Sequence, residues 1–261
     1  MSECYYYKNY TLPVGTLDSS IDCMYVLIMD GSEQYKSIKK EIEKAGIVSE
    51  VIFQFNLGYK KCNKNLMLQS PNRDLIHALQ TVFKDASKRN FERIIVLEED
   101  CMFDERIKQE DVIQDLNTFF INKNPDVYNL GPFIHLSNPL DVLFHNKHKL
   151  LFFNGGSHCN VYNRKYFENK AYSDFYTASP DMETNLQFHT YSYHKPLAYQ
   201  LLNETENSKE GWGILKPISD FVFIKPSGID KKIHPGYDNI YKVCDLFSVL
   251  MICSILYLLI F

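Results

Sequence analysis

The sequence has no excess of positive charge. Its 261 residues include 28 Lys and Arg against 32 Asp and Glu, which leaves a formal net charge of −4. Proteins that bind nucleic acid need clustered Lys and Arg side chains to neutralise its phosphates. We therefore expect no nucleic-acid partner, and a metal-dependent nuclease or nucleotidyltransferase is only a minor alternative. The hydrophobic share of 45% is ordinary for a globular protein.

Two phosphate-binding motifs are also missing. No G-x-G-x-x-G follows the first apolar run, where MDGSEQ contains a single glycine, and no G-x-x-x-x-G-K-[ST] occurs anywhere. A dinucleotide-dependent oxidoreductase and a P-loop enzyme are therefore disfavoured. The N-terminus lacks a basic start followed by an apolar core, so no signal peptide is predicted.

The seven cysteines form no recognisable pattern. They are scattered along the chain with no C-x-x-C pair and no metal-ligand spacing. Such a set predicts free thiols in a reducing compartment.

Apolar runs alternate with amphipathic segments along the first half of the chain. Cys23–Met29 is continuously apolar and predicts a buried strand, and residues 48–55 predict another. Between them, residues 32–45 place apolar side chains on one helical face, and Gly46 supplies the stop. A second helix is predicted to begin after Ser70, which is followed by proline. This order predicts an α/β fold with a βαβ unit.

Three acidic residues follow the next apolar strand, over residues 93–97. Side chains alternate along an extended segment, so Glu98 and Asp100 face one way and Glu99 faces the other. Ligands of open parallel sheets bind at the carboxyl ends of the strands. A carboxylate-x-carboxylate pair at that edge suits Mn²⁺ or Mg²⁺ together with a phosphate ligand. The alternative is that these are solvated loop carboxylates that cap the next turn.

The order of these segments resembles the family 25 glycosyltransferases, the lipopolysaccharide-type and procollagen galactosyltransferases. Those enzymes carry an acidic triplet, usually Glu-Asp-Asp, after a hydrophobic strand, as IIVLEEDCMF does in this chain. Three later stretches are most similar to glycosyltransferases of large DNA viruses: VYNLGP (127–132), GGSHCNVYNRKYF (155–167) and ETENSKEGWG (204–213). The resemblance covers residues 22–215, and Glu99 departs from the triplet.

The resemblance implies a GT-A type, Rossmann-like mixed sheet flanked by helices. It implies a glycosyltransferase, hexosyltransferase-like, that uses a nucleotide-diphosphate sugar, usually a uridine diphosphate sugar, with Mn²⁺ or Mg²⁺ as cofactor. The acceptor would be a hydroxyl of a glycan or a protein. The domain would span 21–225 after an N-terminal extension (1–20), with its nucleotide-sugar half at 21–130 and its acceptor half at 131–225.

Individual roles follow as hypotheses. Asp100 and Glu98 would hold the metal ion, with His158 completing its shell, and Glu98 and Glu99 would contact the donor. If configuration inverts, a carboxylate must take the acceptor proton. Asp181 is the first candidate and Glu183 the second, although acids in a first helical turn also simply complement the helix dipole.

Two further sets of residues could contact substrate. Gly155 and Gly156 would let the backbone approach the donor closely, because glycine has no Cβ. Trp212 is the only tryptophan. It would either stack on an acceptor sugar or anchor a long loop in the core.

The C-terminus is apolar. Residues 246–261 carry no charge, so residues 243–261 predict a C-terminal hydrophobic helix that anchors the protein in a membrane. A helix docked on the core and an interfacial segment are the alternatives. Residues 226–242 would be a linker. By the positive-inside rule, the lysines of this linker would keep the catalytic domain cytoplasmic.

One non-enzymatic alternative stays open at this stage. Glu99 in the triplet and the unsettled base are compatible with an inactive, membrane-tethered sugar-binding protein on a transferase fold.

Overall fold

The computed structural model describes residues 4–173, 179–185, 189–201, 225–229 and 233–260. The strands are β1 (Tyr5–Thr11), β2 (Cys23–Met29), β3 (Glu50–Asn56), β4 (Arg93–Glu98), β5 (Cys101–Phe103), β6 (Val127–Asn129), β7 (Ile134–Ser137), β8 (His148–Gly155), β9 (Cys159–Asn163), β10 (Thr190–Tyr193) and β11 (Ala198–Gln200). The helices are α1 (Tyr35–Ala45), α2 (Pro71–Lys88), α3 (Glu110–Lys123), α4 (Pro139–Leu143), α5 (Arg164–Tyr172), α6 (Pro180–Thr184) and α7 (Ile233–Ile260). Single turns lie at Glu105–Lys108 and Lys225–Ser227.

Within these residues, nine strands form one mixed sheet in the order β1-β3-β2-β4-β9-β6-β10-β8-β7. β3, β2 and β4 run parallel, while β9 lies antiparallel to β4. Helices α1 and α3 contribute to the core on one face of the sheet, and α2 and α5 to the core on the other. The predicted α/β mixed sheet flanked by helices is confirmed.

Local signals set the first helices where the sequence predicts them. Gly46 follows α1 with φ of 59°, and its N–H donates to the Ile42 carbonyl. This left-handed conformation is one that glycine adopts without strain. The hydroxyl of Ser70 accepts a hydrogen bond from the N–H of Arg73, with proline at the first helical position of α2.

The predicted N-terminal extension is part of the fold. β1 pairs antiparallel with β3 along its whole length, from Tyr5 opposite Asn56 to Thr11 opposite Glu50. The prediction missed this strand because its outward residues are polar and its partner lies some 40 residues away, beyond the reach of any local pattern.

A disulfide joins Cys4 to Cys62, which corrects the prediction that all cysteines are free thiols. It ties the start of β1 to the loop between β3 and α2. Disulfides persist in oxidising rather than reducing environments. The pairing was missed because sequence spacing alone cannot identify two cysteines 58 residues apart.

We expect reduction of this disulfide to lower stability. A cross-link that closes a loop of this length contributes about 4 kcal/mol through the entropy of the unfolded chain. The paired change Cys4→Ser with Cys62→Ser should therefore lower the urea midpoint, and reductant should then have no further effect. A midpoint that is equal in wild type with and without reductant would contradict the assignment.

The C-terminal helix packs on the domain. Its buried residues Tyr237, Ile240 and Cys244 form a cluster with Tyr199 of β11. Residues 233–242 of the predicted linker lie within α7, where the backbone is non-helical at His234. Among the residues that the structure describes, no helix is long and apolar enough to cross a membrane. The predicted membrane anchor is therefore not supported.

Candidate functional site

The acidic triplet lies where the sequence places it, at the carboxyl end of β4. β4 pairs with β2 up to Leu27 opposite Glu98. The Glu99 carboxylate turns toward β2 and accepts the N–H of Met29 at 3.3 Å. Burial raises the pKa of Glu99, although the Met29 N–H and the nearby Ser32 hydroxyl oppose this increase. Glu99 therefore holds the end of β2.

Asp100 is the most enclosed acid of the triplet. Its side chain is 5% exposed, and its Oδ2 accepts the Gln200 amide Nε2–H at 3.1 Å. Its Oδ1 is buried without a hydrogen-bond partner. Burial raises the pKa of this carboxyl. An enclosed carboxylate oxygen with no donor is costly to leave uncompensated, so a ligand is expected at Oδ1.

Asp181 meets the glycine loop. Desolvation raises the pKa of Asp181. The hydroxyl of Ser157 and the backbone N–H groups of Gly156 and Ser157 lie close enough to its carboxylate to oppose this increase. Gly156 has φ of 92°, and a Cβ there would come within 3.1 Å of Phe133. The conformation that only glycine tolerates thus presents the loop amides to Asp181.

Gly155 and Gly156 also have a structural role. The loop N–H groups at 156 and 157 are turned to a side chain of the same protein, which leaves them less available to a diphosphate. Gly155 closes β8 and accepts the Phe133 N–H at 2.7 Å. Contact of Gly155 and Gly156 with the donor stays a prediction, with an additional structural role now visible.

Helix α6, which carries Asp181, is held firmly against β8. Asn185 accepts from the backbone and side-chain N–H groups of Asn154 at 2.6 and 2.7 Å, and returns a bond to the Asn154 carbonyl at 2.9 Å. Glu183 is fully buried and forms an ion pair with Lys170 of α5. The second base candidate, Glu183, is thus engaged in fixing the helix, because its carboxylate neutralises a buried lysine.

Two further carboxylates, those of Asp100 and Asp181, lie close enough to Glu98 to affect its pKa. Burial raises the pKa of Glu98 well above its ordinary value, and the charges of Asp100 and Asp181 raise it further. Within the described residues, none of these three acids forms a salt bridge with Lys or Arg. Like charges gathered at a buried site are stable only when a proton or a cation neutralises them.

The donor set suits a hard divalent ion with few protein ligands. Asp100 Oδ1 is free to coordinate and Glu98 is half-buried beside it. No group of three or more His, Cys, Asp and Glu side chains in the described part of the chain is arranged to hold a metal. Mn²⁺ or Mg²⁺ bound through one or two carboxylates would take its other ligands from phosphate and water.

His158 does not join such a group. It is fully buried, its ring lies 6.5 Å from that of Tyr237, and burial lowers its pKa to about 4. Both of its ring nitrogens are buried without a hydrogen-bond partner, and its metal role stays a prediction.

Sequence reasoning missed several residues that surround the acids. Gln200 donates to Asp100, and Ser157 lies near Asp181. Tyr162, whose hydroxyl accepts from Asn160 at 3.0 Å, is close enough that Asp181 and Glu98 raise its pKa. The GGSHCNVYN stretch was the one available signal for this group. Trp212, the predicted acceptor contact, lies outside the described residues.

Comparisons with known proteins give likenesses of fold outline only. No protein-family model and no curated protein matches the chain. Among solved structures it is similar to A197 from STIV, at 14% identity and a TM-score of 0.41 over 69% of this chain and 86% of that one. It is similar to a glycosyltransferase involved in the glycosylation of the major capsid of PBCV-1, at 9% identity and 0.42 over 70% and 96%. Apo-UDP-glucose pyrophosphorylase is similar at 8% identity and 0.37, over 70% and 77%. At these values the similarities carry no argument about activity.

Proposed function

We propose that the protein is a metal-dependent glycosyltransferase that moves a sugar from a nucleotide-diphosphate donor to a hydroxyl acceptor. The observation that carries this proposal is the buried, unpartnered Oδ1 of Asp100 beside two further carboxylates at the carboxyl edge of a parallel β-strand unit. A uridine diphosphate sugar and a glycan or protein acceptor are proposed from the sequence resemblance alone.

Asp100 and Glu98 would hold Mn²⁺ or Mg²⁺ in this site. When bound, such an ion neutralises charge on the diphosphate leaving group. The protein's own contribution is to keep the two carboxylates in place and out of bulk water, where their charge acts more strongly. Gln200 fixes one oxygen of Asp100, and the backbone N–H of Glu98 donates to the His158 carbonyl at 2.9 Å.

Asp181 would be the base that accepts the acceptor's hydroxyl proton. Its Oδ1 is buried and has no hydrogen-bond partner, and its carboxylate lies near Ser157 and the amides of the glycine loop. Glu98 lies near enough for the two charges to interact. A base works best when its pKa approaches the working pH, and burial moves the pKa of Asp181 in that direction.

We expect Asp181→Asn to lower kcat by roughly 10² to 10⁴-fold, the range for loss of a general base. In the wild type, activity should fall as the pH drops through the raised pKa of Asp181, because the protonated carboxyl cannot accept a proton. Initial rates from pH 4 to 9 would show this limb. A variant that keeps wild-type kcat would remove Asp181 from the mechanism.

The proposal is tested by a donor panel. The protein is incubated with UDP-, GDP- and dTDP-sugars and MnCl₂, and release of the free nucleoside diphosphate is measured against an EDTA control. Mn²⁺-dependent release is the expected result. Donor binding without release would favour the inactive sugar-binding alternative. A protein that shows no donor binding and no release would overturn the proposal.

Membrane attachment through the tail and a cytoplasmic catalytic domain stay predictions, to be checked by fractionation.

A further inference from the structure

The two oxygens of Asp100 differ in their surroundings. Oδ2 accepts a hydrogen bond from the Gln200 side chain at 3.1 Å, whereas Oδ1 is buried without any partner. The backbone carbonyl of Asp100 accepts the N–H of Leu201 at 2.9 Å. Gln200 and its neighbour therefore hold both the main chain and the side chain of Asp100. A neutral amide donor fixes the carboxylate without cancelling its charge, which an ammonium group would do.

Gln200 is in turn held by the C-terminal helix. It ends β11, opposite Cys101 of β5, and its backbone N–H donates to the hydroxyl of Tyr237 at 3.0 Å. Tyr237 is fully buried, with ring centroids 5.0 Å from Tyr199 and 5.7 Å from Phe133. Because the ring is packed on these sides, its hydroxyl is held in one position, where it contacts Gln200 of β11.

A second set of contacts connects the start of α7 to the segment that follows β5. The guanidinium of Arg106 donates to Asp104, just after β5, and to Asp238 of α7 at 2.9 Å and 3.0 Å. It also donates to the Tyr199 hydroxyl at 3.1 Å. Partly buried bidentate pairs of this kind are stronger and more directional than surface ion pairs. Arg106 therefore connects the segment after β5 both to β11, through Tyr199, and to the start of α7, through Asp238.

We propose that Gln200 is a positioning residue that aims Oδ1 of Asp100 at the divalent cation, and that Tyr237 of the C-terminal helix keeps Gln200 in place. The inference rests on the proposed function. It makes α7 a structural part of the metal site. A chain of two hydrogen bonds, from Tyr237 to Gln200 to Asp100, carries the coupling.

The test measures Mn²⁺ binding directly, by the EPR signal of free Mn²⁺ during titration with MnCl₂ in the presence of UDP. Gln200→Leu removes the donor, and we expect a dissociation constant 10 to 100-fold higher, as for other residues that orient metal ligands. In turnover assays the activation constant for Mn²⁺ should rise while kcat at saturating Mn²⁺ changes little. A general loss of structure would lower kcat as well.

Helix α7 offers a matched pair of controls. Tyr237→Phe removes the hydroxyl that contacts Gln200, and Tyr241→Phe removes the hydroxyl of an equally buried tyrosine one turn later that has no hydrogen-bond partner. Both retain the ring, so both should fold and keep the thermal midpoint within a few degrees. We expect weaker Mn²⁺ binding for Tyr237→Phe, about 3 to 10-fold, and wild-type binding for Tyr241→Phe.

The outcomes separate the two proposals. If the wild type binds Mn²⁺ and releases nucleotide but both Gln200→Leu and Tyr237→Phe bind Mn²⁺ as the wild type does, the positioning role is wrong and the transferase proposal stands. Equal weakening by Tyr237→Phe and Tyr241→Phe would also overturn it, because general loosening of α7 would then be the cause. If the wild type binds no Mn²⁺, both proposals fail together.

Discussion

Replacing Asp100 with Asn is expected to abolish most of the Mn²⁺-dependent turnover, with kcat/KM lower by about 10³-fold. The reason is that an amide oxygen carries no charge, so the cation loses the enclosed carboxylate that Oδ1 provides. Loss of several kcal/mol of charge stabilisation in the transition state corresponds to a factor of this size. Initial rates over a Mn²⁺ series would measure it.

The same variant should be more stable than the wild type without metal. Burial raises the pKa of Asp100 in the folded protein, so its ionised form opposes folding. This destabilisation is absent below the pKa of Asp100 in the unfolded chain. It grows as the pH rises from that pKa to the raised pKa of the folded protein, and it is complete above the latter. The gain from Asp100→Asn should therefore be seen at pH 8 and fade at pH 4. Added Mn²⁺ should raise the thermal midpoint of the wild type only.

A matched control is Asp111→Asn, since Asp111 is an exposed acid at the start of α3. It should leave the rate unchanged and lower the thermal midpoint only slightly, through loss of its favourable interaction with the helix dipole. If Asp100→Asn retained wild-type activity while Asp111→Asn behaved as expected, the metal role of Asp100 would be wrong.

The second large effect concerns the C-terminal helix. Asp245 of α7 accepts two hydrogen bonds from the Lys149 ammonium of β8, at 2.7 and 2.6 Å, and Lys149 is only 4% exposed. Asp245→Asn would leave this ammonium buried and unpaired, which costs about 3–5 kcal/mol. We expect the thermal midpoint to fall by roughly 10 °C, as differential scanning calorimetry would record.

Two further variants test whether the unpaired Lys149 ammonium causes this loss of stability. Lys149→Met combined with Asp245→Leu removes both charges and should recover most of the lost stability. Glu105→Gln breaks the exposed ion pairs with Lys44 and Lys108 and should leave the thermal midpoint nearly unchanged. A thermal midpoint unaffected by Asp245→Asn would mean that α7 is not docked in solution, as the membrane-anchor prediction requires.

Parts of the candidate site could be read from the chain because their causes are local. The apolar run before residue 98 predicts β4, which the structure has over Arg93–Glu98, and the acids follow directly at its carboxyl end. These signals act over a few residues, through side-chain periodicity and the backbone's own hydrogen bonds.

Other parts depended on distant pairings. Asp181 and Glu183 are two residues apart, and the sequence offers them as the first and second candidates for the base. In the folded protein, Glu183 forms an ion pair with Lys170, whereas Asp181 lies near Ser157. Which of two nearby acids meets a lysine and which meets a loop is decided by packing, since nothing in their immediate neighbours distinguishes them.

The sequence by itself determined the α/β class and the position of the acidic strand end. Only the tertiary structure decided that Cys4 meets Cys62, that Gln200 meets Asp100 and that Tyr237 lies behind Gln200. The physical reason is range. Helix stops, caps and strand alternation depend on neighbours within a turn or two, whereas these contacts join residues 37 to 100 positions apart and exist only once register and packing have been set.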